Sequence, residues 1–408
     1  MTTISEYAEL SALDIARHVR SGCFTAVDAV TAALDRISEH DAALHAFTEV
    51  WAEQAVQRAA GVDAQLARGA QLPLAGVPIG VKASEGPRSH QNERLAAAGC
   101  VLVGATSVPR IRSGWQTYGH TDRGLTLNPL NPAWSPGGSS AGSAVAVAAG
   151  LVPLASGSDG AGSVRIPAAW CGIVGFKPTN GRLPARDRAG LNSPGILARS
   201  PEDALAYLEA VDESPAVVPR SAYPLTATWS ATLGYADTDA SVAAVARRAA
   251  ERLSEAQLIT LTGSDLTLMD PAPAWTALRA GSPPSDADRV TANNERLRDC
   301  FEKADLLITP TTPHPPHGHD GPGQRMSVAL TWAFNISGHP ALTLPVGTTP
   351  AGEPVGLQLV ARHHDERRLL DIAGSFAAFL NAETDPPECR ALPSADRRAY
   401  PGRHDHGG

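Results

Sequence analysis

One segment, residues 136 to 182, constrains this chain most because it sets small hydroxyl side chains and many glycines among apolar runs. It reads PGGSSAGSAVAVAAGLVPLASGSDGAGSVRIPAAWCGIVGFKPTNGR and is almost free of charge. Hydroxyl groups inside apolar runs become buried on folding, and buried hydroxyls need hydrogen-bond partners. We therefore expect this segment to lie in the interior of the protein and to carry a polar site.

Two glycine- and serine-rich sequences, GGSSAGS and GSDGAGS, flank the apolar run AVAVAAGLV. Glycine-rich turns let backbone N–H groups converge on an anion or on the oxyanion of a reaction intermediate. A phosphate-binding loop needs a lysine followed by serine or threonine after the glycines, or a GxGxxG sequence, and neither occurs here. The remaining interpretation is nucleophilic catalysis by serine.

A nucleophilic serine needs a base, and the segment contains no histidine. The GxSxG sequence of the α/β-hydrolases is also missing. A buried neutral lysine is the other known base, since burial lowers the pKa of an amine. Lys82 ends the strand-like run VPIGVK, and lysine is rare in this arginine-rich chain. Lys82 is therefore the candidate base, against the common alternative of a strand-end lysine that points to solvent.

The segment resembles the amidase signature family, whose members carry GGSSGGS, a TDTGGS-like turn, RIPAA, a Cys-Gly pair and a GFKPT-like sequence. This chain has GGSSAGS, GSDGAGS, RIPAA, CG and GFKPT in the same order. The resemblance continues through LAGVPIGVK upstream and through DLLITPTTP, NISGHPALTLPVG and PVGLQLVARHHDERRLL downstream, and covers roughly residues 8 to 380. It implies a single α/β/α domain in which helices cover both faces of a large mixed β-sheet.

By this resemblance, the catalytic residues are Lys82, Ser139 and Ser163. Ser163 attacks the amide carbonyl and forms an acyl-enzyme, Ser139 relays a proton, and neutral Lys82 is the final base. In the family a cis peptide bond precedes the relay serine, and here that bond joins Gly138 to Ser139. Ser140 is the competing candidate for the relay, and we expect it to support the same network.

The resemblance also assigns roles to the turn before the nucleophile. Asp159 and Arg165 are expected to pair and to keep this turn rigid. Alanine replaces the first glycine of the family's GGS turn, so a positive φ there would cost about 1 kcal/mol. The oxyanion hole is expected to use backbone N–H groups of Gly160, Ala161, Gly162 and Ser163.

Two segments look shorter than in the family: the connection from Lys82 to LAAAGCVLVGAT, and the region from Thr262 to Asp305. In the family, the first segment normally forms part of the wall around the acyl side of the site. In the second, APAWTALRAGSPPSDAD is expected to form a broken helical excursion and a small lid. We therefore expect an open pocket, or one that a partner or a second copy of the chain completes.

Patterns outside these motifs predict the alternating helices and strands typical of an α/β protein. Residues 1–70 are expected to form a helical segment that packs on a core of residues 71–380. In the second half, TATWSATLGYAD and QLITLTG are predicted strands, the latter buried, and MSVALTWAFNISG is a predicted helix. Residues 381–408 are rich in proline, charge and histidine, which predicts a loosely ordered tail.

Composition excludes several partners. The net charge of −8, without lysine or arginine clusters, argues against nucleic acid and anionic membranes. Five scattered cysteines without metal spacing, and no leader or long apolar run, favour a cytoplasmic protein with reduced thiols. We assign no cofactor and no metal, because the histidines with ligand-like spacing lie on a proline-rich loop or in the tail without fixed geometry: His314, His317 and His319 with Asp320, and His404 with His406.

The expected function is hydrolysis of the C–N bond of a linear, small-molecule amide other than a peptide bond. Three alternatives stay open. The chain is a subunit of an amidotransferase that releases ammonia from glutamine, it transfers an acyl group to an amine, or it is a catalytically silent scaffold. The complete set of Lys82, Ser139 and Ser163 argues against the scaffold.

Overall fold

The helical and strand patterns of the sequence fold into one mixed β-sheet with helices packed on it. The computed structural model describes residues 4–110, 117–212, 222–263, 266–283 and 287–382. Its strands are β1 (Phe47–Val50), β2 (Pro78–Lys82), β3 (Val101–Thr106), β4 (His120–Thr121), β5 (Gly124–Leu125), β6 (Leu154–Asp159), β7 (Val174–Lys177), β8 (Ser193–Ala198), β9 (Leu225–Trp229), β10 (Ile259–Thr262), β11 (Leu306–Pro310), β12 (Ala341–Thr348) and β13 (Pro354–Val360).

The helices alternate with these strands along the chain. A 3₁₀ helix at Ile4–Glu9 precedes α1 (Ala12–Ser21), α2 (Ala26–Leu44), α3 (Ala52–Ala67), α4 (His90–Ala97), α5 (Ala141–Ala148), α6 (Arg165–Cys171), α7 (Pro201–Val211), α8 (Ala240–Glu255), α9 (Ala272–Arg279), α10 (Ala287–Lys303), α11 (Ala333–Ile336) and α12 (Glu366–Ala382). None of these described helices has the length and apolar character needed to cross a membrane.

Eleven strands form the sheet in the order β1-β3-β2-β6-β8-β7-β12-β13-β11-β9-β10. Strand β2 lies between β3 and β6 and runs parallel to both. Because parallel strands end at the same edge of a sheet, the last residues of β2 and β6, Lys82 and Asp159, are brought to one edge. Every residue of β13 is buried, so both faces of the sheet are covered there.

Local sequence signals fix the helix ends at the N-terminus. Ser11 and Asp14 form a reciprocal capping box at the start of α1, which ends at Gly22 in the left-handed region with φ of 74°. Thr25 and Asp28 form the same capping box at the start of α2. The N-terminal segment also adds β1 to the main sheet, antiparallel to β3.

The structure departs from the sequence expectations at four places. The predicted strand TATWSATLGYAD ends at Trp229, because the chain turns at Leu233, whose φ is 52°. Strand β10 is an edge strand and only partly buried. The predicted helix MSVALTWAFNISG is mostly turns and becomes α-helical only in α11. Helix α10 was not predicted. The predicted tail lies outside the described residues beyond residue 382.

Candidate active site

Lys82 lies at the end of β2 with only 2% of its surface exposed. Its Nζ donates hydrogen bonds to Ser139 Oγ at 2.9 Å, to the Ser158 carbonyl at 3.1 Å and to Ser158 Oγ at 3.0 Å. A neutral amine has two N–H donors and one lone pair. The carbonyl can only accept, but either hydroxyl can donate, so these partners suit the neutral form as well as the charged one.

The surroundings of Lys82 shift its protonation equilibrium toward that neutral form. Burial removes water from the ammonium and lowers the pKa of Lys82 to about 8. The negative charges of Glu85 and Asp159 oppose this shift, and the positive charge of Arg279 adds to it. A base whose pKa lies this close to neutrality can exchange a proton during turnover.

Ser139 is half-buried, and the Gly138–Ser139 peptide bond is cis, as the resemblance implies. Lys82 contacts Ser139 and not Ser140, whose buried hydroxyl has no hydrogen-bond partner in the described part of the chain. The Ser140 N–H donates to the Ser163 carbonyl at 3.2 Å, so the two serine-rich sequences lie side by side.

Ser163 lies in the turn between β6 and α6, where it is half-buried. Its hydroxyl makes no hydrogen bond within the described ranges, to Ser139 or to any other residue. The structure therefore joins Lys82 to Ser139 directly. It brings the Ser163 backbone against Ser140, the residue after Ser139, and the Ser163 hydroxyl has no partner in the described residues.

The carboxylate of Asp159 organises the turn that carries Ser163. It accepts the backbone N–H groups of Gly162 at 2.7 Å, Val164 at 3.2 Å and Arg165 at 3.3 Å. The Arg165 guanidinium donates to both carboxylate oxygens, at 2.9 and 2.8 Å, and both side chains are completely buried. Burial alone would raise the pKa of Asp159, but the charge and hydrogen bonds of Arg165 hold that pKa well below its usual range.

A second layer of polar groups completes this network. Arg165 also donates to the Thr331 carbonyl at 3.0 Å, to Gln358 Oε1 at 2.8 Å and to Asn335 Oδ1 at 2.7 Å. Asn335 in turn donates to the Asp159 carboxylate at 3.0 Å. Because each buried charge is paired and hydrogen-bonded, the turn has little freedom to change its shape.

The peptide groups of the turn divide into engaged and free donors. The Gly162 N–H is taken by the Asp159 carboxylate. The N–H groups of Gly160, Ala161 and Ser163 donate no hydrogen bond among the residues that the structure describes. Unengaged backbone donors next to a candidate nucleophile are the kind of group that stabilises an oxyanion.

The glycine and the alanine of this turn occupy different backbone regions. Gly162 has φ of 121°, and a Cβ atom there would lie 2.3 Å from Thr331 Oγ1, so only glycine fits. Ala161 does not have a positive φ. The alanine at this position therefore carries none of the left-handed strain considered above.

Five contributors to the site were not identified from the sequence, among them Gln358, which accepts from Arg165. Ser158 contacts Lys82, and its position in the sequence could have indicated this, because it directly precedes Asp159 in β6, the strand that runs parallel to β2. Thr331, Asn335 and Trp275 come from distant parts of the chain, and no local pattern marks them. Trp275, in α9, donates its indole N–H to the Gly160 carbonyl at 2.7 Å.

The histidines considered as metal ligands make other contacts. His317 bonds Thr117 at 2.6 Å, His314 Nδ1 lies 2.9 Å from the Pro315 carbonyl, and His319 lies 3.1 Å from the Pro132 carbonyl. In the described part of the chain, no group of three or more His, Cys, Asp or Glu side chains could hold a metal ion. His404 and His406 lie outside the described residues.

Comparison with curated proteins finds full-length relatives. Putative amidase AmiA2 of Mycobacterium tuberculosis (strain ATCC 25618 / H37Rv) is 30% identical over 456 aligned positions, which include 92% of this chain and 94% of the relative. A glutamyl-tRNA(Gln) amidotransferase subunit of Synechococcus sp. (strain CC9605) is 28% identical, with 92% of this chain and 98% of the relative aligned. The alignments are longer than the 408 residues of this chain, which fits its shortened segments.

Solved structures share the fold over most of their length. A 6-aminohexanoate cyclic dimer hydrolase matches with a TM-score of 0.75 and 25% identity, over 91% of this chain and 97% of that protein. A bacterial aryl acylamidase of the amidase signature enzymes matches with a TM-score of 0.78 and 21% identity, over 91% and 97%, which shows the fold alone.

A model of the Amidase family matches residues 28–85, 88–273 and 282–370. The two interruptions, at residues 86–87 and 274–281, fall within the two segments that the sequence marked as short. With the matched ranges covering most of its length, the chain belongs to the amidase signature family.

Proposed function

We propose that this protein hydrolyses the C–N bond of a linear, small-molecule amide through an acyl-enzyme on Ser163. The observation that supports this best is the 2.9 Å hydrogen bond between the buried Lys82 amine and the Ser139 hydroxyl. It provides a base and a relay, and the nearby Ser163, whose carbonyl accepts the Ser140 N–H, has a hydroxyl without a hydrogen-bond partner in the described residues.

In the first step, Ser163 Oγ forms a bond to the amide carbonyl carbon, and the C=O π electrons move onto oxygen. The Ser163 proton passes to Ser139 Oγ while the Ser139 proton passes to the lone pair of Lys82 Nζ, so that the relay hydroxyl is regenerated. The free N–H groups of Gly160, Ala161 and Ser163 are the candidates to stabilise the oxyanion, and the Gly162 N–H is not among them because the Asp159 carboxylate accepts it.

In the second step, the carbonyl re-forms and the C–N bond breaks. The leaving nitrogen takes a proton from Ser139, which Lys82 replaces, so the amine departs neutral and Lys82 returns to its neutral form. Water then repeats the sequence on the acyl-enzyme and releases the carboxylic acid. With a pKa of about 8, roughly one-tenth of Lys82 is neutral at pH 7.

Labelling with a fluorophosphonate tests the nucleophile without knowledge of the substrate. Intact-mass analysis should show one adduct on the wild-type protein and none on Ser163→Ala. Lys82→Ala and Ser139→Ala should slow labelling strongly. Ser156→Ala is the matched control, because Ser156 is a buried serine of β6 whose hydroxyl has no partner in the described chain, and it should label at the wild-type rate.

Normal labelling of Ser163→Ala would exclude this serine as the nucleophile, and an unlabelled wild-type protein would favour a scaffold. Hydroxylamine added during turnover should trap the acyl group as a hydroxamate. A panel of primary amides, anilides and short peptide amides then identifies the substrate class from the relative kcat/KM values.

A second candidate is release of ammonia from glutamine within a complex. It is favoured by the likeness to the glutamyl-tRNA(Gln) amidotransferase relative, which aligns over 98% of its length. The two functions differ in their requirement for a partner. Amide hydrolysis by the isolated chain supports the first, whereas glutaminase activity that arises only with added partner subunits supports the second.

A further inference from the structure

Helix α9 contacts the catalytic turn from outside the segment that contains it. The Trp275 indole N–H donates to the Gly160 carbonyl at 2.7 Å, and only 9% of the Trp275 surface is exposed. The ring lies in a buried apolar cluster with Ala161 and Trp332, whose ring centroid is 6.4 Å from that of Trp275. This contact is therefore fixed by packing as well as by the hydrogen bond.

The hydrogen bond constrains more than the atom that accepts it. The Gly160–Ala161 peptide bond is trans, and in a planar trans peptide the C=O and N–H point in opposite directions. Holding the Gly160 carbonyl toward α9 therefore directs the Ala161 N–H away from α9. The next carbonyl, that of Ala161, is held by the Thr331 hydroxyl, so both sides of Ala161 are fixed.

This Ala161 N–H is one of the backbone donors of the turn that have no partner among the described residues. Its direction matters only when negative charge develops on the substrate oxygen, because a neutral carbonyl is a much weaker acceptor. A group that aims this donor should thus affect the transition state more than substrate binding.

We propose that Trp275 is a positioning residue for amide hydrolysis, whose indole N–H holds the Gly160 carbonyl so that the Ala161 N–H points at the oxyanion. This inference rests on the proposed function of Ser163. It concerns a part of the chain, residues 274–281, that the match to the Amidase family leaves out. The shortened second segment thereby supplies a support for the oxyanion hole.

The test compares Trp275→Phe with the matched control Trp332→Phe. Both changes shorten an aromatic ring in the same cluster, but the Trp332 indole nitrogen donates no hydrogen bond to the described turn that carries Ser163. The measurements are the second-order rate of fluorophosphonate labelling, and kcat and KM for a p-nitrophenyl ester that the wild-type protein cleaves.

Loss of a direct oxyanion donor costs about 10²–10³ in rate, and a donor that is only misaimed should cost less, about tenfold. Trp275→Phe should therefore slow labelling and kcat by about tenfold, with KM and the midpoint of the pH profile unchanged. Trp332→Phe should stay within about twofold of wild type. Equal losses in the two variants, no loss in Trp275→Phe, or a loss confined to KM would each overturn the proposal.

An isosteric replacement protects the test against misfolding. Benzothienylalanine at position 275 keeps the shape of the bicyclic ring and replaces its N–H with sulfur, and should reproduce the slow labelling of Trp275→Phe. Wild-type labelling by this variant would refute the positioning role. The proposed function fails separately, if Ser163→Ala is labelled, whatever the result at position 275.

Discussion

Replacing Asp159 by asparagine should destabilise the protein and disable the catalytic turn. The carboxylate accepts three backbone N–H groups, two guanidinium nitrogens of Arg165 and the Asn335 amide. In Asp159→Asn an NH₂ group replaces one of the carboxylate oxygens and faces hydrogen-bond donors, with which it cannot pair. Arg165 stays buried without its counter-charge. Breaking one partner of a buried ion pair costs about 3–5 kcal/mol in the free energy of unfolding.

Guanidinium chloride unfolding, followed by tryptophan fluorescence and circular dichroism, measures this loss. The matched control is Glu255→Gln, which removes the exposed Arg248–Glu255 pair, whose nitrogen and oxygen are 3.1 Å apart. Exposed pairs contribute about 0–1 kcal/mol, so the control should unfold close to wild type. A loss below about 1 kcal/mol in Asp159→Asn would refute the claim that this pair holds the turn.

The loss of stability in Asp159→Asn should depend on pH in a definite direction. The folded-state pKa of Asp159 lies below its unfolded value, so the carboxylate contributes its stability at pH values above about 4. This contribution declines as the pH falls through the depressed folded-state pKa. The difference in the free energy of unfolding between Asp159→Asn and wild type should therefore be constant near neutral pH and diminish in strong acid.

Four further variants test the electrostatics of Lys82 and the geometry of the turn. Glu85→Gln removes a charge that raises the pKa of Lys82, and Arg279→Gln removes one that lowers it, so the midpoint of labelling against pH should move down in the first and up in the second at low salt. Shifts in the same direction would contradict this assignment. Gly162→Ala adds strain of about 1–3 kcal/mol and a Cβ atom 2.3 Å from a threonine hydroxyl, and should slow labelling about tenfold or more. Ala161→Gly changes a position without a positive φ and should be labelled at nearly the wild-type rate. Equal labelling rates in Gly162→Ala and Ala161→Gly would contradict this description of the turn.

Much of the fold was predictable because its signals are local. Capping residues set the ends of α1, α2 and α7, and apolar runs set β2 and β3. Helix α10 gave no such signal, since only Asn293, Leu297 and Phe301 of its residues are buried and most of the others are polar. Strand β10 has an apolar sequence, but its position at the sheet edge depends on distant strands and cannot be read from the run itself.

The residues of the candidate site also divide into those with a local sequence signal and those without one. Lys82 was a candidate because it ends an apolar strand-like run, and Ser139, Ser163, Asp159 and Arg165 were candidates because they lie in motifs that resemble a family. Which N–H groups of the turn are free depends on where the Asp159 carboxylate points, and this required the three-dimensional arrangement.

The contact between α9 and the turn brings together residues that are 115 positions apart, and nothing near Trp275 in sequence indicates its partner. Such long-range contacts determine the shape of the pocket. This is why the catalytic chemistry is easier to read from the sequence than the substrate.

The rate of fluorophosphonate labelling at Ser163, measured between about pH 6 and pH 10, tests the central claim most directly. If the buried Lys82 amine withdraws the proton, the rate should rise with pH to a plateau with a midpoint near pH 8, and Lys82→Ala should lose both the rate and this midpoint. A rate that does not change across this range, or the same midpoint in Lys82→Ala, would contradict the account.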